Sequence, residues 1–109
     1  MAKYEVETRR TDPKNFFAGD FPTLPESGTA GENLAEHMPV AKDEDGNIVA
    51  VTAETIEKAV GITAEAAERD EPVVYYMTGE FFADAIELPD GVKIEALKDS
   101  LRKLSIFLR

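Results

Sequence analysis

The chain has no cysteine among its 109 residues. That absence removes disulfide frameworks, thiolate metal sites and thiol nucleophiles, and it fits a reducing compartment. Histidine occurs once, at His37, and no metal-binding or catalytic partner stands at a recognisable spacing from it. A structural or surface role is expected there. The serines, Ser27, Ser100 and Ser105, all lack a Gly-x-Ser-x-Gly context. The glycines are scattered singly, so no phosphate-cradling loop is present. No apolar run approaches the roughly 20 residues that cross a bilayer. The opening Met-Ala-Lys-Tyr-Glu-Val-Glu carries no hydrophobic stretch of signal-peptide type. A soluble protein made in the cytoplasm, without membrane attachment, is expected.

Positive charge is scarce. Twelve lysines and arginines stand against 22 aspartates and glutamates, for a net charge of −10. Residues 1–15 carry +1 and residues 93–109 carry +3, so the middle, 16–92, carries −14. A body of that sign repels nucleic-acid phosphates, and no basic stripe with interleaved aromatics offsets it. Direct nucleic-acid binding is not expected. Carboxylates are too numerous for an acid–base pair to be picked out, so no catalytic, cofactor-binding or metal residues are nominated and the chain is not expected to be an enzyme.

The densest apolar, β-favouring stretch is 59–81. Ala59-Val60-Gly61-Ile62 and Val73-Val74-Tyr75-Tyr76-Met77 read as two central strands, the first running over 59–66. Gly61 sits inside an apolar run, where glycine marks a bulge or the close approach of another backbone. Gly79 reads as a turn into a further strand over 80–88. Alternation puts Val73, Tyr75 and Met77 on one face and Val74 and Tyr76 on the other. Both faces are apolar, so both should be covered, one of them by another element or another chain.

The other elements take their places around this pair. Residues 34–51 read as a hairpin turned by Lys42-Asp43-Glu44-Asp45-Gly46-Asn47, since Asp-Gly is a strong hairpin signal. The same loop resembles a calcium loop only in part, because Ile48 stands where its glycine belongs. A solvated turn is expected. Residues 52–58 suit one helical turn. Ile94, Leu97, Leu101 and Leu104 mark an amphipathic helix face, and Ile106-Phe107-Leu108 a terminal strand tied into a sheet.

Residues 1–33 differ. Pro13, Pro22, Pro25, Gly19, Gly28 and Gly31 break any helix or strand period between Thr11 and Asn33. Tyr4 and Val6 alternate with charged residues, and Phe16, Phe17 and Phe21 sit among turn residues. These rings either pack on the edge of their own domain or belong to a flexible arm that orders on a partner by strand addition with aromatic anchors. The organisation expected is an N-terminal arm over 1–33 and a β-rich domain over 34–109.

Laid out this way, residues 34–108 resemble the head decoration proteins of lambda-like tailed bacteriophages. The likeness rests on Met38-Pro39-Val40 with its hairpin into Ile48-Val49-Ala50, on Ala59-Val60-Gly61-Ile62, on Tyr75-Tyr76-Met77-Thr78-Gly79-Glu80-Phe81, and on a helix followed by a terminal strand over 101–108. One position departs from the pattern: Ser105 precedes Ile106 where a glycine is expected. The resemblance implies a mainly β fold, a small β-clip-like barrel or sandwich with one short C-terminal helix. It implies a structural protein of the virion, a homotrimer on the outer surface of the capsid at the three-fold sites of the expanded shell. Its partner would be the major capsid protein, reached through the arm. Arm candidates are Tyr4, Val6, Phe16, Phe17 and Phe21; trimer-interface candidates are Val74, Tyr76 and Phe82. The alternative is a small-ligand or protein-binding module on the same scaffold, since fold does not fix function.

Overall fold

The central stretch folds as its composition dictates: two β-rich segments pair and the remaining strands add to them. The computed structural model describes Phe17, Gly19 and residues 22–109. Among these the fold is mainly β, with seven strands and one α-helix: β1 Pro25–Thr29, β2 Pro39–Lys42, β3 Ile48–Ala50, β4 Ala59–Thr63, β5 Pro72–Tyr76, β6 Gly79–Phe81, α1 Ile94–Arg102 and β7 Ile106–Leu108. Five strands form an antiparallel sheet in the order β1-β5-β4-β2-β3. The remaining two, β6 and β7, pair in parallel.

The two ends of the five-stranded sheet meet. Ala30, just past β1, bridges Ile48 of β3, and the Gly31 amide donates to the Ile48 carbonyl at 2.7 Å. The Glu32 carboxylate accepts the Ala50 amide at 2.8 Å, covering part of the β3 edge. The sheet thereby closes into a small barrel. Closure brings backbones together where side chains would not fit. A Cβ on Gly28 would lie 2.9 Å from Ile48 Cγ1, and one on Gly31 would lie 2.9 Å from Val49 Cγ1.

This corrects the expectation that no strand survives between Thr11 and Asn33. Pro25–Thr29 is a strand paired along its length with Pro72–Tyr76, and Ala30 is fully buried. The breakers are compatible with β1 because Pro25 begins the strand and because Gly28 supplies the space that closure needs. The folded body therefore takes in residues ahead of Leu34.

Gly61 shows both signatures expected of it. The β2–β4 register passes from Val40↔Gly61 to Ala41↔Ala59, leaving Val60 as a bulge. A Cβ on Gly61 would run into the Tyr76 carbonyl oxygen and lie 2.8 Å from Tyr75 Cδ2.

Each face of the sheet has its own core. Inside the barrel lie Ala30, Leu34, Val40, Ile48, Ala67, Val73 and Tyr75. On the outer face, Ala41, Val51, Ala59 and Ile62 pack with Phe81, Ile86, Val92, Leu97, Leu101, Ile106 and Leu108. Helix α1 and the β6–β7 pair form this second layer. The helix face is the expected one: Leu97 and Leu101 are fully buried, with Ile94 and Leu104 half-buried beside them. On the second face of β5, Tyr76 packs against this layer, while Val74 is half-buried and belongs to neither core.

Two expected strands are shorter than their apolar runs. The first central strand ends at Thr63, not Ala66; Leu34 then bridges Ala67. Thr63 is buried and satisfied, its hydroxyl donating to the Ala35 carbonyl at 2.7 Å and accepting the Met38 amide at 2.8 Å. The strand expected over 80–88 stops at Phe81. Residues Ala83–Ala85 form a 3-10 turn, with the Ala85 amide donating to Phe82 and the Ile86 amide to Ala83. That turn brings Ile86 into the outer core while Phe82 and Leu88 stay exposed, a pattern no two-residue period produces. The hairpin turn closes on itself: Asp43 Oδ1 accepts the amides of Asp45 and Asn47, both at 2.9 Å, and Gly46 takes φ +84°. The helical turn expected over 52–58 is the 3-10 helix Ile56–Lys58.

Ser105 joins α1 to β7 with φ +65°, in the left-handed region. That conformation explains the glycine expected there. Ser105→Gly relieves the strain of a Cβ in that region and gives back part of the gain as unfolded-chain entropy. The expected net effect is a stabilisation of about 0.5–1 kcal/mol, read as a rise in the urea midpoint with unchanged slope. A fall in the midpoint would contradict the assigned backbone.

Candidate functional site

The N-terminal segment is seated on one edge of the second layer, and aromatic packing places it there. Phe81, on β6, points into the outer core and is fully buried. Tyr76, at the end of β5, lies against it with ring centroids 5.7 Å apart. Phe17 completes the trio, edge-on to Tyr76 and tilted to Phe81, each at 5.7 Å. Offset and edge-to-face pairs at this spacing add roughly 0.5–1.5 kcal/mol beyond area burial. Phe17 also bridges Phe81 in antiparallel sense, on the side of β6 away from β7. Nearly half of its surface, 48%, remains exposed.

Polar contacts fix the same segment at further points. Gly19 lies so close to Glu80 that a Cβ would strike its carboxylate. That carboxylate accepts the Arg109 Nε–H at 2.6 Å. The Thr78 hydroxyl donates to the Pro22 carbonyl at 2.8 Å, and the Met77 amide donates to the Leu24 carbonyl at 2.8 Å. Leu24 itself is exposed. The result is an aromatic and polar seat built by the end of β5, the 77–78 turn and β6. Gly79, with φ +153° and the Phe81 ring where a Cβ would stand, supplies the bend between those strands.

Of the arm candidates, Phe17 packs on its own domain. Tyr4, Val6, Phe16 and Phe21 lie outside the described residues. Of the trimer candidates, Tyr76 is occupied by rings of its own chain. Val74 is half-buried and borders a depression of 390 Å³ shared with Pro25, Glu26 and Ser27 of β1. Phe82 is 37% exposed at the start of the 3-10 turn.

Gly19, Leu24 and the Glu80–Arg109 pair escaped the sequence reading. Gly19 carried a signal: a glycine two residues past a phenylalanine pair suits close approach beside an anchored ring. The ion pair carried none, because its partners are 29 positions apart. Elsewhere, burial, and secondarily the charge of Glu26, raises the pKa of the Tyr75 phenol above its usual value; the ring belongs to the barrel core. His37 takes φ +60°, donates its amide to the Thr63 carbonyl and accepts the Glu87 amide on its own carbonyl. These are structural tasks. Among the described residues, no group of three or more His, Cys, Asp or Glu side chains is arranged to hold a metal ion, and no helix is long and apolar enough to cross a membrane.

No known family model matches this chain, and no curated protein matches it.

Proposed function

We propose that this chain is a capsid decoration protein of a tailed bacteriophage. It binds the expanded head shell as trimers at three-fold sites, on the outer surface of the virion, and cements neighbouring copies of the major capsid protein against the pressure of packaged DNA. The observation that carries this reading is the seat of Phe17: an N-terminal segment rich in aromatics joins the body at an aromatic anchor that is still half exposed. A second support is Ser105, which holds a left-handed conformation where the family's pattern has a glycine. Its role is structural, on a β-clip-like scaffold, with no reaction catalysed and no cofactor required.

The mechanism is binding-linked stabilisation. A ligand that prefers the expanded shell to its ruptured form makes rupture harder by the free energy of that preference. Three arms on one trimer multiply modest contacts through effective concentration.

The test is a truncation that keeps the seat. Removing residues 1–15 leaves Phe17 and Gly19 in the chain, and a cooperative thermal melt of the truncated protein confirms that it is folded. Binding to expanded shells should fall by at least about 100-fold as the avidity of three arms is lost. Sedimentation of protein with shells reads the outcome directly; undiminished binding of the truncated chain would overturn the arm mechanism.

A further inference from the structure

Two aspartate–glycine pairs stand in turns of this chain, Asp45-Gly46 and Asp90-Gly91. Such a pair can react with itself without a catalyst, because glycine sets no side chain in the way of its own amide nitrogen. The fold treats the two pairs in opposite ways.

Asp45-Gly46 is held in the hairpin turn. The Gly46 amide donates to the Asp43 carbonyl at 3.0 Å. Asp43 Oδ1 accepts the amides on either side, those of Asp45 and Asn47, and the Asp43 amide donates to the Asn47 carbonyl at 2.9 Å. The nitrogen that would have to attack is engaged, and swinging it free breaks the turn. Asp99-Ser100, a pair with another small second residue, lies within α1, where the Ser100 amide belongs to the helix ladder.

Asp90-Gly91 has none of these restraints. The Val92 amide donates to the Pro89 carbonyl at 3.2 Å and Gly91 takes φ +81°, the pattern of a type II turn with Asp90 and Gly91 at its centre. That closing bond uses the flanking residues and leaves the Gly91 amide without an acceptor among the described residues. Both central residues are exposed, and the space around Gly91 is open. The Asp90 carboxylate has no hydrogen-bond or ion-pair partner among the described residues.

We propose that Asp90-Gly91 is a site of spontaneous isoaspartate formation, left open by the same fold that shields Asp45-Gly46. The Gly91 nitrogen bonds to the side-chain carboxyl carbon of Asp90; the amide proton and the carboxyl hydroxyl leave as water, and a succinimide ring closes. A water molecule then opens the ring. Cleavage of the new bond restores aspartate. Cleavage of the original peptide bond leaves the main chain running through the side-chain carbons, as isoaspartate. Water is the co-reactant, and neither oxidant nor cofactor enters. The product lengthens the main chain by a methylene just ahead of Val92, which is buried in the outer core, and α1 starts at Ile94. The modification therefore falls where the turn sets the carboxy-terminal layer against the sheet.

Nothing in this chemistry depends on a capsid partner, and its test needs no shells. The full chain is aged at physiological temperature and neutral pH, folded in buffer and unfolded in urea. Isoaspartate is then labelled by protein isoaspartyl methyltransferase with radioactive S-adenosylmethionine and located by peptide mapping. The folded chain should carry about tenfold or more isoaspartate at Asp90 than at Asp45, the factor set by the hydrogen bonds that must break to release the Gly46 amide. In urea both turns are lost, and the two pairs should react at similar rates. Comparable isoaspartate at the two positions in the folded chain, or none at Asp90, would overturn the proposal. So would a preference for Asp90 that persists undiminished in urea, since neighbouring residues rather than the fold would then set it.

Discussion

Gly61→Val removes the cooperative unfolding transition of this domain. A side chain there would overlap the Tyr76 carbonyl oxygen and press on the Tyr75 ring, whose Cδ2 lies 2.8 Å from the Cβ position. The first obstacle is backbone, so no rotamer change relieves it. Moving Tyr76 away would separate β4 from β5 at the Ile62 and Tyr76 pair. It would also displace Tyr75 within the barrel core. Overpacking a well-filled interior costs about 1–3 kcal/mol, and more where the backbone must shift. A domain of this size has only about 5–15 kcal/mol in total. The milder Gly61→Ala should cost about 3 kcal/mol and lower the melting temperature by about 10–20 °C. Gly46→Ala is the control. Gly46 has φ +84° and open space around it, so the substitution should cost only about 1 kcal/mol of backbone strain. Circular dichroism melts of the three variants check this; a Gly61→Ala melt within a degree or two of the parent would show that β4 and β5 do not approach as closely as described.

Phe81→Ala should cost about 3–5 kcal/mol, the range for truncating a buried aromatic. Phe81 is fully buried and belongs to the core shared by the sheet, α1 and β7. Its loss opens a cavity that the short β6–β7 pair cannot collapse to fill. It also removes the surface on which Tyr76 and Phe17 rest. Phe17→Ala touches the same trio from outside and should cost only about 1 kcal/mol, since the ring is already 48% exposed. Urea denaturation of the two variants separates an inner from an outer ring. Equal losses would mean that Phe17 is a core residue rather than an anchor at the rim.

How much of this was legible depended on whether the determining contact was local. The hairpin at 42–47 was legible because Asp-Gly turn chemistry is written in adjacent residues. The helix face was legible because Leu97 and Leu101 repeat at the helical period. Gly61 was legible because a glycine inside an apolar strand has few explanations. Strand β1 was not, since it exists through its pairing with residues 72–76, and its proline and glycine serve closure rather than strand propensity. The end of β6 at Phe81 was hidden because Phe82, Ala83, Ala85 and Ile86 imitate an alternating strand while folding as a turn. The parallel pairing of β6 with β7 leaves no trace in either segment. For the candidate site, three phenylalanines announced an anchored segment, but only the structure shows Phe17 against Tyr76 and Phe81. The same contact explains why Tyr76, read as a subunit contact from its apolar face, is used within the chain.

A sheet with a core on each side has a consequence for how its amides meet solvent. Strands β4 and β5 lie inside the sheet, between β2 and β1, with the barrel core on one face; on the other, β4 carries the helical layer and Tyr76 of β5 rests on Phe81. No local fluctuation exposes their paired amides to deuterium; only opening of the whole domain does. The α1 and β7 layer packs on one face alone, so it can detach while the barrel persists. Native-state exchange should then resolve two tiers of protection, with β4 and β5 reporting the global unfolding free energy and the carboxy-terminal layer a smaller one.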